Sequence, residues 1–197
     1  MKLQSAVNKA KAYSNRNLPF SEMHYWKSIF EKTGSTSYQF RYAEALHQCG
    51  FYNESEKVYS EIAVNKIPKS YKHLYYSYFG HLMLQVGKLS EALELYKKSL
   101  KLKSDETMPY VFIGAILKRQ ERDQEAIKYL TKALNKKGDI DEVNYNLATS
   151  YIRIGKLSHA LNSIKACLMV DPKFPNAKRI KRDIEELIKQ PKKLILN

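Results

Sequence analysis

Three stretches decide the fold: GHLMLQVGKLSEALELYKKSLKL over 80–102, GAILKRQERDQEAIKYLTKALNK over 114–136 and ATSYIRIGKLSHALNSIKACLMV over 148–170. Their small, apolar and polar positions coincide when each copy is shifted by 34 residues. An earlier copy, AEALHQCGFYNESEKVYSEIAVN over 43–65, precedes the first of these by 37 residues, and the three extra residues fall around Ile67–Pro68. A fixed period of this length indicates an array of identical structural units.

Each copy reads as two amphipathic helices joined by a short turn, because its apolar residues recur at helical spacing. Glycines that suit a left-handed C-cap follow the first helix in three copies: Gly50, Gly87 and Gly155. Glu121 occupies this position in the remaining copy, which predicts a strained or different turn there. Polar residues then follow as predicted N-caps of the second helix: Asn53, Ser90, Asp123 and Ser158.

Two columns of small residues predict close helix packing. The first helices contribute Ala43, Gly80, Gly114 and Ala148. The second helices contribute Ser55, Ala92, Ala126 and Ala160. Large apolar residues lie between these columns, so each helix pair can bury a continuous core against its neighbours.

The four copies resemble tetratricopeptide repeats, a family of helix–turn–helix units. The last copy, NLATSYIRIGKLSHALNSIKACLMVDP, carries the family's Leu, Tyr, Gly, Ala and terminal Asp-Pro. The resemblance implies an all-α fold, a right-handed α-solenoid of antiparallel helix pairs. The sequence predicts four repeats, at 36–72, 73–106, 107–140 and 141–174. Before them we expect a degenerate helix pair at 1–35, which is either a cap or a divergent repeat. After them we expect a capping helix at 175–190, which begins at Pro175, and a tail at 191–197.

Composition and charge narrow the function classes. Apolar residues make up 44% of the chain, as in ordinary globular proteins, and 34 Lys and Arg against 20 Asp and Glu give a net charge of +14. The N-terminal stretch has no apolar core of the kind that a secretory signal needs, so we expect a cytoplasmic protein. Cys49 and Cys167 lie inside apolar helical patterns and are predicted to be buried free thiols.

No catalytic constellation stands out. The sequence has no glycine-rich phosphate loop, no recognisable nucleophile with its base, and no histidines at metal-ligand spacing. We therefore expect no enzyme activity, no cofactor and no metal site.

The resemblance implies that the first helix of each repeat lines a concave groove. The residues expected to contact a partner there are aromatic, cationic or amide side chains: Phe40, Arg41, Tyr78, His81, Phe112, Lys118, Arg119, Tyr145, Asn146 and Arg153. Aromatic residues and arginine dominate binding energy at interfaces. The alternative is that some of these rings pack against neighbouring repeats and never meet a ligand.

The sequence thus predicts an adaptor that binds a peptide or helix of another protein, with acidic groups attracted by the groove cations. The alternative function is a basic accessory protein that binds nucleic acid or an anionic surface through its charged ends, such as Lys178, Arg179, Lys181 and Arg182. A third hypothesis is that the chain is a structural adaptor that associates with itself.

Overall fold

The computed structural model of the chain describes residues 3–15 and 18–189, and eleven α-helices account for most of them. The predicted tail at 191–197 and the last residue of the predicted cap lie outside the described residues. The chain divides into two compact units, Met1–Leu102 and Lys103–Asn197, which we call unit 1 and unit 2. The described residues form no β-strand, and none of their helices is long and apolar enough to cross a membrane.

Unit 1 consists of three consecutive helix pairs. Its helices are α1 (Leu3–Asn15), α2 (Pro19–Thr33), α3 (Thr36–Gln48), α4 (Tyr52–Ser60), α5 (Lys72–Gln85) and α6 (Leu89–Leu102). Each helix packs on the next one along the chain. The residues that lengthen the first repeat form two 3₁₀ turns between α4 and α5, Val64–Lys66 and Lys69–Tyr71, so a loop absorbs the insertion.

Unit 2 consists of two helix pairs followed by a final helix. Its helices are α7 (Met108–Arg119), α8 (Asp123–Ala133), α9 (Ile140–Arg153), α10 (Leu157–Val170) and α11 (Ala177–Lys189). Ala177 and Ile184 of α11 are buried in one apolar cluster with Ala160 and Ile164 of α10. The repeated helix pairs of both units confirm the predicted all-α solenoid class.

Within the four predicted repeats, the turn between the two paired helices has the predicted left-handed residue. Gly50, Gly87 and Gly155 have φ values of 82°, 81° and 74°. Glu121 takes the same conformation with φ of 60°, although a Cβ makes this conformation costly. The turn is therefore retained in the third repeat at the expense of local strain.

The predicted N-caps were wrong. α4, α6 and α10 begin one residue before the expected cap, and α8 begins at the expected cap itself. The first helical acceptors are the carbonyls of Phe51, Lys88, Arg122 and Lys156, so the polar residues lie inside the first turn. Likewise α11 begins at Ala177 and not at Pro175, because Asn176 adopts a left-handed φ of 62° that a helix cannot contain.

The small-residue columns lie at helix contacts, as predicted. Ala43, Ala92, Ala126, Ala148 and Ala160 are fully buried. Ser55, which replaces alanine in the first repeat, is also fully buried, and its hydroxyl donates a 2.8 Å hydrogen bond to the carbonyl of Ala43. This bond removes the cost of burying an unpaired hydroxyl.

Candidate partner-binding surface

The best-defined polar site of unit 2 is built around the ammonium group of Lys118, in the last turn of α7. Its Nζ donates hydrogen bonds to Asn146 Oδ1 at 3.1 Å and to Thr149 Oγ1 at 2.5 Å, both on α9. Burial lowers the pKa of Lys118; the carboxylate of Asp123 opposes this shift and the charge of Arg153 adds to it. An ammonium has three donors, so one N–H remains for another acceptor.

The partners of Lys118 are themselves held in place. The side-chain amide of Asn146 donates to the carbonyl of Glu142 at 3.0 Å, which leaves its Oδ1 oxygen for the lysine. The hydroxyl of Thr149 donates to the carbonyl of Asn146 at 3.0 Å. The cation is therefore fixed by α9 before any ligand arrives.

Arg153 forms an ion pair with Asp123, with 2.9 Å between Nε and Oδ2. The Asp123 side chain is only 7% exposed, whereas that of Arg153 is 44% exposed. Oδ1 of Asp123 is buried and has no hydrogen-bond partner among the described residues. No local spacing relates these two residues, so sequence analysis missed Asp123 as the partner of Arg153. Arg119, the third predicted cation of this unit, is exposed on α7.

The predicted aromatic residues of unit 2 differ in their surroundings. Phe112 on α7 is half-buried. The ring of Tyr145 on α9 lies 4.9 Å from the ring of Phe174, and both residues pack against the cluster that α11 covers. Tyr145 is therefore partly engaged in the packing of the chain's final helix.

In unit 1, Phe40 belongs to the core. It is 7% exposed, and its ring centroid lies 6.0, 6.4 and 5.9 Å from those of Tyr59, Tyr75 and Tyr78. Phe40 therefore packs within the protein, because α4 brings Tyr59, and α5 brings Tyr75 and Tyr78, against its position on α3. Tyr78 remains half-buried on the predicted surface.

The polar residues of unit 1 form a second group on α3 and α5. Arg41 binds Glu44 at 3.0 Å, and burial raises the pKa of Glu44. The side chain of Gln85 lies between two histidines, 2.8 Å from His47 Nε2 and 3.2 Å from His81 Nε2. Burial and the neighbouring His47 lower the pKa of His81. Among the described residues no group of three or more His, Cys, Asp or Glu side chains is arranged to hold a metal ion.

Comparison with known sequences gives one family and one curated relative. The family model of the tetratricopeptide repeat matches residues 109–135 and 141–174. The human "Protein O-mannosyl-transferase TMTC2" is 31% identical over 104 residues, which are 52% of this chain and 12% of that protein. The chain thus spans only a small part of that relative.

Solved structures of similar fold cover most of the chain. YrrB, described as "a TPR protein with an unusual peptide-binding site", has a TM-score of 0.72 at 14% identity over 90% of both chains. MamA from Desulfovibrio magneticus RS-1 has a TM-score of 0.75 at 14% identity over 88% of this chain and 97% of its own.

The C-terminal part of a TPR repeat-containing protein from Cytophaga hutchinsonii has a TM-score of 0.79 at 17% identity over 94% and 72% of the two chains. At these identities the likeness establishes the fold. Residues 109–135 and 141–174 match the tetratricopeptide repeat family, and the fold of the chain is of the same type.

Proposed function

We propose that this chain is a non-enzymatic adaptor that binds an acidic, partly apolar segment of a partner protein along the first helices of its repeats. The tetratricopeptide repeat fold supports a protein–protein interaction module. In this proposal the charged contacts with the partner lie on α7 and α9 of unit 2. The observation that carries it is the fixed ammonium of Lys118 beside Arg153.

Preorganisation makes this ammonium a better binding group than an ordinary surface lysine. A free lysine side chain loses about 2 kcal/mol of rotamer entropy when it is held in one geometry. Asn146 and Thr149 already hold Lys118 in one geometry in the folded chain. A ligand that binds Lys118 therefore avoids much of this entropy cost.

The charge balance of this surface favours an acidic ligand. Lys118, Arg119 and Arg153 carry three positive charges, and the nearby Asp123 carboxylate is paired with Arg153. Burial lowers the pKa of Lys118, and a partner carboxylate beside it would raise that pKa again. Lys118 therefore keeps its proton, and its positive charge, when the acidic ligand binds. Phe112, half-buried on the same helix as Lys118, supplies apolar contact area.

The test begins with a selection of binding peptides from a random display library, followed by kinetic binding measurements on the full chain. Lys118→Gln removes the charge at similar length and should weaken the selected peptides about tenfold, since a hydrogen bond to a charged group contributes roughly 1.5 kcal/mol or more. Arg119→Gln should mainly slow association, and this effect should shrink at high salt.

Lys178→Gln and Arg182→Gln on α11 are the matched controls, because both residues are exposed cations on a helix outside the proposed binding helices α7 and α9. Unchanged binding by these controls supports the proposal. Failure to select any peptide, or loss of binding only in the α11 variants, contradicts it, and the second result favours the basic-end alternative. Cytoplasmic location and self-association stay predictions.

A further inference from the structure

A cavity of about 300 Å³ lies within unit 1, and the loop between α4 and α5 forms one of its walls. This wall consists of Ile67, Pro68 and Tyr71, the region where the first repeat is three residues longer than the others. The loop is fixed by hydrogen bonds from the amide of Ile67 to the carbonyl of Val64 at 3.2 Å and from that of Tyr71 to the carbonyl of Pro68 at 2.8 Å. Among the described residues, 3₁₀ turns occur only in this insertion, so this wall differs in backbone geometry from the loops that join the other repeats.

The opposite walls of the cavity are aromatic. Trp26 of α2, together with Tyr38 and Phe40 of α3, lines it. The indole N–H of Trp26 already donates to Glu22 at 2.9 Å, and its ring stacks on that of Tyr38 at 5.9 Å. With its polar atom satisfied inside the protein, Trp26 offers the cavity an apolar ring face.

Among the described residues that line the same cavity there are two cations, Lys11 of α1 and Arg41 of α3, and no carboxylate. Lys11 is exposed to solvent. Arg41 uses one nitrogen to bind Glu44, and a guanidinium has five N–H donors, so it retains capacity for a second acceptor. A ligand that fits this lining has an apolar group in the cavity and a negatively charged group next to it.

We propose that this cavity, named here the insertion pocket, takes one aromatic side chain of a bound partner segment, with a flanking acidic residue on Lys11 and Arg41. Its volume lies at the lower end of the range for ligand sites, which suits one large side chain and not a cofactor. The inference deepens the proposed function, since it names the residue pair that a partner segment presents to unit 1.

Trp26 is the only tryptophan of the chain, so its fluorescence reports on the pocket directly. The probe is the peptide acetyl-Asp-Phe-Asp-amide, titrated into the full chain with selective tryptophan excitation. We expect a saturable change in Trp26 emission. Acetyl-Asp-Ala-Asp-amide and acetyl-Lys-Phe-Lys-amide should each bind at least about fivefold more weakly, because they lack the ring or the matching charge.

Variants with matched controls locate the binding. Lys11→Gln should weaken the probe about threefold, whereas Lys9→Gln, an exposed lysine on the same helix that does not line the cavity, should not. Tyr71→Ala should weaken it about fivefold or more. Tyr52→Ala is its control, because Tyr52 has similar exposure, 40% against 52%, and lies outside the lining.

Absence of a saturable Trp26 signal overturns the insertion pocket, as does equal binding of the lysine-flanked peptide or equal effects of variants and controls. None of these three results bears on the proposed function, which is tested by the effect of Lys118→Gln on selected peptides. Binding of the probe with no effect of Lys118→Gln on those peptides is the opposite outcome: it supports the pocket and contradicts the charged site on α7 and α9.

Discussion

Gly114 and Gly80 occupy equivalent positions of successive repeats, yet replacement by alanine should have opposite effects. A Cβ on Gly114 would lie 2.8 Å from Cγ and 2.9 Å from Cδ2 of Leu130, which is fully buried. A Cβ on Gly80 would lie 3.4 Å from Leu95 and Tyr96, an ordinary contact. Both glycines are in helix interiors, where alanine is favoured by about 1 kcal/mol.

The magnitude follows from these distances. Overpacking a core typically costs about 1–3 kcal/mol, which offsets or exceeds the helix gain at Gly114. Gly114→Ala should therefore lower the free energy of unfolding by roughly 0–2 kcal/mol, whereas Gly80→Ala should raise it by up to about 1 kcal/mol. The expected difference between the two variants is about 1–3 kcal/mol.

Urea unfolding followed by circular dichroism measures this difference, and a double-mutant cycle identifies its cause. In a Leu130→Ala background the clash has no partner atom, so Gly114→Ala should become neutral or stabilising. The reasoning is refuted if Gly114→Ala is as stabilising as Gly80→Ala. It is also refuted if Gly114→Ala costs the same free energy in the presence and absence of the Leu130 side chain.

Three further predictions test the fold. Glu121→Gly should raise the free energy of unfolding by about 1 kcal/mol by relieving the left-handed strain, and a melt that shows no gain would contradict this. Truncation after Phe174 removes α11, so the chain should aggregate or melt earlier because the apolar face around Ala160 and Ile164 becomes exposed; an unchanged melting temperature would contradict the role of α11 as a cap. Burial raises the pKa of the Cys167 thiol to about 11, so alkylating reagents at neutral pH should label the partly exposed Cys49 first, and mass spectrometry showing the reverse order would contradict this burial.

The repeat period predicted most of the fold because it reports packing that every copy shares. Gly50, Gly87 and Gly155 have the left-handed conformation that their positions require, and the alanine columns are buried. Helix starts were predicted less well, since a capping residue such as Ser90 can also lie within the first turn of a helix. Local preference alone does not decide between these two positions.

The candidate site was harder to predict because columns of a repeat do not specify side-chain partners. The burial of Phe40 depends on three tyrosines that other helices bring to it, and the pairing of Arg153 with Asp123 joins residues of different helix pairs. The insertion pocket lies where the period is interrupted, so no repeat column indicates it. Features that arise where the sequence departs from the repeat can be identified only in the three-dimensional structure.

The most direct test of the account is an NMR shift map of the full chain with a selected acidic peptide bound. The account predicts that the largest amide shifts in unit 2 occur at Lys118, Asn146, Thr149 and Arg153 on α7 and α9, and that they weaken in the Lys118→Gln variant. Shifts confined to α11 around Lys178 and Arg182, with α7 and α9 unchanged, would contradict the claim that the first helices of the repeats bind the partner.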